Sequence, residues 1–182
     1  MNIIMMLKRL LQRIRLKFNQ DQKQWVEISV TDLFICIDTF SGLGLVGRDP
    51  LFPSHLLPPD ADDECIGKTI LLALSDSRTM TNRQERAELF GWEKLKSNYK
   101  AWIDMLMGQY GYKTKKSLFK DMRKCGVSCV NGVIEISPSN HYKLESWGTT
   151  KDDGIEDVIL STDNTPAEIG IGFRLALGRC RG

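Results

Sequence analysis

The sequence lacks the clustered side chains that mark a metalloprotein. It has only two histidines, His55 and His141, and they lie in unrelated segments. No Cys-x-x-Cys pair occurs among its cysteines, whereas a structural zinc site needs about four convergent ligands. We therefore expect no bound metal, and no motif calls for another cofactor.

Disulfides and membrane-spanning helices are not expected either. The five cysteines are an odd number, and they are Cys36, Cys65, Cys125, Cys129 and Cys180. Four of them have apolar neighbours, where a free thiol behaves as a small hydrophobic group. This usage is typical of a reducing cytoplasm. No apolar run approaches the roughly 18–20 residues that a helix needs to cross a bilayer, so the sequence predicts a cytoplasmic protein.

The basic side chains are distributed unevenly. Residues 1–18 hold five of the 25 basic side chains and no acid, which leaves 20 basic against 23 acidic side chains in the rest. Apolar residues recur at helical spacing in this segment, so it predicts a basic amphipathic helix or an N-terminal extension. The mildly acidic remainder, residues 19–182, is long enough for one domain, and its charge does not favour nucleic-acid binding.

The first half of the chain predicts two strands followed by helices. Alternation favours strands at Trp25–Val30 and Leu33–Phe40. Four prolines predict a loop over residues 43–59. Asp60 is then the expected N-cap of a helix with Ile66, Ile70, Ala73 and Leu74 on its buried side. A longer helix is predicted over Trp92–Met107, and it ends near Gly108 and Gly111.

The second half predicts a hairpin between helices. A helix is expected over Thr114–Cys125, with Leu118, Phe119 and Met122 facing inward. Asn131-Gly132 favours a two-residue turn that pairs Val130 with Val133, and Asp157–Leu160 is the last predicted strand. Thr165, Pro166 and Glu168 form the start signal of a final helix, in which Gly170 and Gly172 indicate close packing. The sum is a single α+β domain, a small antiparallel sheet with helices packed on it.

Motifs for catalysis are weak. The run Gly42–Gly47 matches G-x-G-x-x-G, but Pro50 and Pro53 follow where a dinucleotide site needs a helix. Acidic groups lie at residues 60–64 and 152–157 without any sign of a cleft. A Cys–His pair formed by distant residues stays possible from sequence alone. We predict no catalytic residue, and a small enzyme built on cysteine or acid chemistry is a minor alternative.

Three blocks together carry a family likeness. They are YGYKTKKSLFKDM (Tyr110–Met122), NGVIEISPSNHYKLESW (Asn131–Trp147) and TPAEIGIGFRLALGRC (Thr165–Cys180), with a weaker one at LPPDADDECIGKTILLAL (Leu57–Leu74). In these blocks the sequence resembles the CdiI-type immunity proteins of bacterial contact-dependent growth inhibition (CDI). The resemblance implies a non-catalytic inhibitor that binds the C-terminal toxin domain of a CdiA-type effector, usually a nuclease. It further implies a 1:1 complex that covers the toxin's active site.

A candidate toxin-binding segment lies between the scaffold blocks. A nuclease exposes basic surfaces to phosphate, so carboxylates with aromatic anchors would complement it. The polar, acidic segment after the hairpin offers both kinds of side chain. The predicted contact residues are Trp147, Asp152, Asp153, Glu156 and Asp157.

The main alternative is a nucleic-acid-binding regulator. It would use residues 1–18 and the Lys113–Lys124 face, where basic and aromatic side chains alternate. Its binding would weaken steeply with salt. A helix that sends its apolar side chains inward leaves the same cations as a solvated surface, and we favour that interpretation. The sequence leaves the oligomeric state open.

Overall fold

An antiparallel sheet forms the middle layer of the protein. The computed structural model describes residues 23–150 and 152–182, so the predicted basic helix at residues 1–18 lies outside the described part. The strands are β1 (Gln24–Val30), β2 (Ile35–Leu43), β3 (Leu45–Arg48), β4 (His55–Leu57), β5 (Arg123–Val130), β6 (Val133–Pro138), β7 (Asn140–Lys143), β8 (Ser146–Gly148) and β9 (Val158–Ser161). Seven of them form the main sheet in the order β3-β2-β1-β5-β6-β9, and β4 pairs with β2. Strands β7 and β8 form a separate hairpin.

Helices cover both faces of this sheet. The described residues hold α1 (Asp63–Asp76), α2 (Arg83–Phe90), α3 (Trp92–Tyr110), α4 (Lys115–Phe119) and α5 (Pro166–Arg179). Helices α1 and α5 share a core with one face, around Ile28, Ile37 and Val127. Helices α3 and α4 cover the other face with Phe34, Cys36, Trp102 and Phe119. This arrangement confirms the predicted single α+β domain.

The β5–β6 hairpin has the predicted turn and register. Asn131 and Gly132 adopt φ values of 54° and 76°, the left-handed conformation that a type I′ turn requires. Val130 lies opposite Val133, and Cys129 lies opposite Ile134. The turn therefore places the apolar side chains of both strands on the face that α1 and α5 cover.

Helices α1 and α5 approach each other at glycines. A Cβ atom on Gly170 would lie 2.0 Å from the carbonyl oxygen of Asp63, and one on Gly67 would lie 1.7 Å from that of Pro166. Only the absence of a side chain permits this approach. The predicted role of Gly170 in close helix packing is confirmed, and the predicted capping box between Thr165 and Glu168 begins α5.

The predicted loop over residues 43–59 is wrong in part, because it contains β3 and β4. Each of these short strands pairs with β2, and the prolines fall outside the paired residues, where no ladder hydrogen bond is lost. Gly42 and Gly44 have positive φ values at the β2–β3 turn. The G-x-G-x-x-G run therefore leads directly into a strand, not into the helix that a dinucleotide site requires.

The predicted helix over Thr114–Cys125 is too long. Helix α4 ends at Phe119, and Arg123–Val130 forms β5, which pairs with β1 on one edge and β6 on the other. Two hydrogen-bonded ladders outweigh the helical pattern there, although Leu118, Phe119 and Met122 are buried as predicted. Smaller corrections concern helix ends. Asp62 caps α1 in place of Asp60, α3 continues to Tyr110, and α2 was not predicted.

Candidate functional site

Trp147 lies in the β7–β8 hairpin, which packs on the α3–α4 side of the sheet. Its indole N–H donates to the carbonyl oxygen of Met122 at 2.8 Å. Its ring stacks on His141 with centroids 4.5 Å apart and meets Phe119 edge-on at 5.6 Å. Trp147 is half-buried and anchors the hairpin to the domain, so only part of its ring is available to a partner.

The tip of the same hairpin contacts helix α3 and the residue that opens α4. The hydroxyl of Tyr99 donates to the Glu145 carboxylate at 2.7 Å, and Lys115 Nζ lies 3.7 Å from the same carboxylate group. These contacts are exposed and individually weak. Together with Trp147 they fix the orientation of the hairpin that precedes the acidic segment.

Asp153 organises the loop that follows β8. Its carboxylate accepts hydrogen bonds from the backbone N–H and the hydroxyl of Thr150, both at 2.6 Å, and from the Tyr142 hydroxyl at 2.9 Å. The hydrogen bonds from Thr150, helped by that from Tyr142, hold the pKa of Asp153 below its usual value. This carboxylate is therefore committed to the loop's own structure.

Two arginines from the C-terminal end of the chain hold the rest of the acidic segment. Arg179 donates to the carbonyl oxygens of Glu156 and Asp157 at 2.8 and 3.2 Å. Arg181 donates to the carbonyl oxygen of Asp153 at 2.9 Å. These contacts use main-chain atoms, so the carboxylates of Asp152, Glu156 and Asp157 are exposed to solvent. The structure thus places three exposed carboxylates in one segment that is anchored at several points.

A buried charged network, which the sequence analysis did not identify, lies beneath helix α3. Asp38 is only 1% exposed. Its carboxylate accepts a hydrogen bond from the indole N–H of Trp102 at 3.0 Å and lies 3.2 Å from Arg48 Nε. The Arg48 guanidinium stacks on the Trp102 ring at 4.0 Å. Because a buried charge is costly unless it is paired, these contacts are required for the domain to enclose Asp38.

The network continues towards Trp147 through Glu27 and Lys124. Lys124 Nζ lies 2.6 Å from the Glu27 carboxylate and 4.7 Å from the centre of the Trp147 ring. Arg48 also approaches Glu27, at 3.7 Å. A cleft of about 310 Å³ opens above these groups, bordered by Tyr99 and Asn98. The available sequence signal is a single acidic residue in each of two largely apolar strands, Glu27 in β1 and Asp38 in β2.

Only some of the basic side chains of the Lys113–Lys124 face are exposed to solvent. Lys113, Lys115, Lys116, Lys120 and Arg123 are exposed. Lys124 is only 9% exposed and is paired with Glu27. Lys116 and Lys120 border a shallow cleft of about 340 Å³ with His141 and Tyr142. Phe119 is fully buried, and Tyr110 and Tyr112 are partly buried against the same apolar cluster.

The described residues can also be examined for groups of metal ligands and for membrane-spanning helices. Among residues 23–150 and 152–182, no three His, Cys, Asp or Glu side chains are grouped as metal ligands would be. In the same part of the chain, every helix is too short or too polar to cross a bilayer.

Comparison with known proteins identifies relatives along nearly the whole described chain. The family model described as "CdiI: CDI immunity protein" matches residues 24–180. Immunity protein CdiI-YPIII of Yersinia pseudotuberculosis serotype O:3 (strain YPIII) is 41% identical over 169 residues, which are 87% of this chain and 96% of that protein.

Two solved structures are similar to this chain in both fold and sequence. A protein of unknown function from Neisseria meningitidis has a TM-score of 0.83 and 44% identity, covering 90% of this chain and 99% of its own. A chain of the CdiA-CT/CdiI toxin and immunity complex from Yersinia pseudotuberculosis has a TM-score of 0.81 and 40% identity, covering 87% of this chain and 98% of its own.

Proposed function

Because the chain belongs to the family of CDI immunity proteins (CdiI), we propose that it binds and neutralises a cognate CdiA-type toxin domain. The match to a chain of the Yersinia toxin and immunity complex carries this proposal, since the likeness extends over almost all of that chain. The protein acts in the cytoplasm as a stoichiometric inhibitor. It forms a 1:1 complex that covers the toxin's active site, and it catalyses no reaction itself.

The segment Trp147–Asp157 is our candidate for the toxin-binding surface. Its support is the anchoring of this loop by Asp153, Arg179 and Arg181, together with the exposure of the Asp152, Glu156 and Asp157 side chains. Residues that such contacts already hold in place lose less conformational entropy on binding than unconstrained ones. Trp147 fixes the start of the loop and offers the exposed part of its ring.

The acidic character of this surface fits a toxin with a basic active-site cleft, such as a nuclease. Carboxylates placed opposite cations accelerate association and exclude partners of the wrong charge. Lys124, which is buried against Glu27, is not available to nucleic acid, so the alternative of a nucleic-acid-binding regulator has one cation fewer on the Lys113–Lys124 face.

Light scattering on the purified complex tests the stoichiometry. The cognate toxin domain and this chain, mixed with either in excess, should give one species with the mass of one copy of each. Equal amounts should abolish toxin activity. A complex of another composition, or full toxin activity in the presence of a folded complex, would contradict the proposal.

Charge reversal tests the surface. The triple variant Asp152→Lys, Glu156→Lys, Asp157→Lys should reduce the association rate at least about tenfold at low salt. Asp153 is left intact because it holds the loop. The matched control reverses three exposed carboxylates elsewhere, Asp32, Asp121 and Asp163, with the same change in net charge. If both triple variants slow association equally, the effect comes from net charge alone. The toxin-binding surface would then not be the segment Trp147–Asp157.

A further inference from the structure

Two cysteines from distant parts of the chain meet beside the candidate toxin-binding loop. Cys125 lies in β5 and Cys180 directly follows helix α5, and their sulfur atoms are 3.6 Å apart. Cys125 is only 1% exposed, whereas Cys180 is partly accessible. Cys36, Cys65 and Cys129 have no such thiol contact among the described residues. The pair therefore has one buried and one accessible thiol in direct contact.

The surroundings of the two thiols differ in a way that assigns them different roles. The hydrogen bond shared with Cys125 lowers the pKa of Cys180 to about 7 despite partial burial, and the Ser139 backbone and Arg123 add to the effect. The shared hydrogen bond and burial raise the pKa of Cys125 well above its ordinary value. Since the thiolate is the reactive form of cysteine, Cys180 is the nucleophile of the pair.

A cleft gives small molecules access to Cys180. It has a volume of about 340 Å³ and is bordered by Gly154, Glu156, Arg179 and Arg181 as well as by Cys180 itself. A single water occupies about 30 Å³ of liquid, so hydrogen peroxide or a small organic hydroperoxide enters easily. Arg179 and Arg181, which border the cleft, favour the departure of hydroxide.

We propose that Cys180 and Cys125 form an oxidisable dithiol, a modification site for small hydroperoxides. The Cys180 thiolate attacks the peroxide oxygen, the O–O bond breaks, and hydroxide leaves, which gives a sulfenic acid on Cys180. Cys125 gives up its proton as its sulfur attacks the Cys180 sulfur, and the sulfenic hydroxyl leaves with this proton as water, so that a Cys125–Cys180 disulfide forms. The two thiols together lose two electrons, and the peroxide gains them.

The disulfide would act on the candidate toxin-binding loop. Its bond length of about 2.05 Å requires the sulfurs to approach from their present 3.6 Å. This approach requires a rotation of the two side chains or a movement of the end of α5 relative to β5. Arg179 and Arg181, which hold Glu156, Asp157 and Asp153, flank Cys180 directly. Oxidation thus reaches the loop through these two side chains, a property that goes beyond toxin neutralisation itself.

Thiol counting after treatment with hydrogen peroxide tests the proposal. The full chain is used with Cys65→Ser, because Cys65 is the exposed thiol that forms unrelated adducts. Unfolding and alkylation should show four free thiols before oxidation and two afterwards. Peptide mapping should find Cys180 joined to Cys125 within one chain, and a reductant should restore all four thiols. Cys180 present only as a higher oxide or a mixed disulfide, or any other linkage, overturns the proposal.

Two further variants separate the roles of the thiols. In Cys125→Ser, oxidation should stop at a sulfenic acid on Cys180 that dimedone captures, and no internal disulfide should form. In Cys129→Ser, the matched buried control on the same strand, the Cys125–Cys180 linkage should form as before. If Cys125→Ser fails to fold, the peptide map of the chain with Cys125 intact decides the matter alone.

Discussion

The indole N–H of Trp102 donates a hydrogen bond to the carboxylate of Asp38 across 3.0 Å, although the two residues are 64 positions apart in the chain. This contact fastens helix α3 to strand β2 at a place where the strand carries a fully buried charge. Arg48 completes the site by pairing with Asp38 and stacking on Trp102. The α3 side of the domain therefore depends on a polar network as well as on apolar packing.

Removal of Asp38 should be strongly destabilising. Asp38→Ala leaves the Arg48 guanidinium largely buried without its closest partner and leaves the Trp102 N–H unsatisfied, so we expect a loss of about 3–5 kcal/mol in the free energy of unfolding. Urea unfolding, monitored by tryptophan fluorescence, measures this loss of stability. The exposed Asp32→Ala should change stability by less than about 0.5 kcal/mol. Similar small losses in both variants would show that the network contributes little.

Alanine scanning of two glycines in helix α5 tests the close helix contact. Gly170→Ala places a Cβ 2.0 Å from the Asp63 carbonyl oxygen, so α1 and α5 must separate at a cost of about 1–3 kcal/mol or more. In Gly178→Ala the new Cβ meets nothing within 4 Å, and the variant should be neutral or stabilised by up to about 1 kcal/mol. Thermal unfolding of both proteins measures the difference in their stability. A Gly170→Ala protein as stable as Gly178→Ala would refute the contact.

The Glu27 ion pairs should make stability depend on pH. Burial alone would raise the pKa of Glu27, but Lys124 and Arg48 outweigh it and hold the pKa below its ordinary value of 4.5. A carboxyl group with a lowered folded-state pKa contributes stability above its unfolded-state pKa, and this contribution disappears as the pH falls through the folded-state value. The stability difference between wild type and Glu27→Gln should therefore be large at pH 7 and shrink below about pH 4.5.

The exposed Glu88→Gln provides the control for this pH series. Its stability difference from wild type should stay near zero at both ends of the range. A Glu27→Gln difference that is constant with pH would mean that the ion pairs do not stabilise the ionised form of Glu27.

Truncation of Trp147 should loosen the β7–β8 hairpin. Trp147→Ala removes the hydrogen bond to Met122 and the ring contacts with Phe119 and His141, and we expect a loss of about 2–4 kcal/mol. Trp92 is 76% exposed, so Trp92→Ala should cost less than about 0.5 kcal/mol. Chemical denaturation measures the loss of stability in each of the two variants. Equal stability of the two variants would mean that Trp147 does not anchor the hairpin.

Local signals predicted some parts of the fold well. The Asn131-Gly132 turn and the Thr165–Glu168 capping box depend on residues that are neighbours in sequence, and both are found as expected. Only the first three residues of β5, 123–125, were predicted as the end of a helix, whereas the residues next to the turn were predicted as a strand. The pairing of β5 with β1 and β6 decides between helix and strand, and that pairing involves residues that are distant in sequence.

The candidate site, too, combines features that the local sequence predicts with contacts between residues that are distant in sequence. The exposed acidic loop could be located from composition, but its anchoring by Arg179 and Arg181 could not, since those residues lie on the far side of helix α5 in the sequence. Likewise, the Asp38–Arg48–Trp102 network and the Cys125–Cys180 contact join segments that only the folded chain brings together.

Bacterial growth during induction of the cognate CdiA-type toxin domain tests the central claim most directly. Cells that also produce this chain should grow at the rate of cells without toxin, whereas cells that produce an unrelated folded protein should stop growing. The triple variant at Asp152, Glu156 and Asp157 should protect less than the triple variant at Asp32, Asp121 and Asp163. Growth arrest in cells that contain the folded wild-type chain in excess over the toxin would contradict the assignment as its immunity protein.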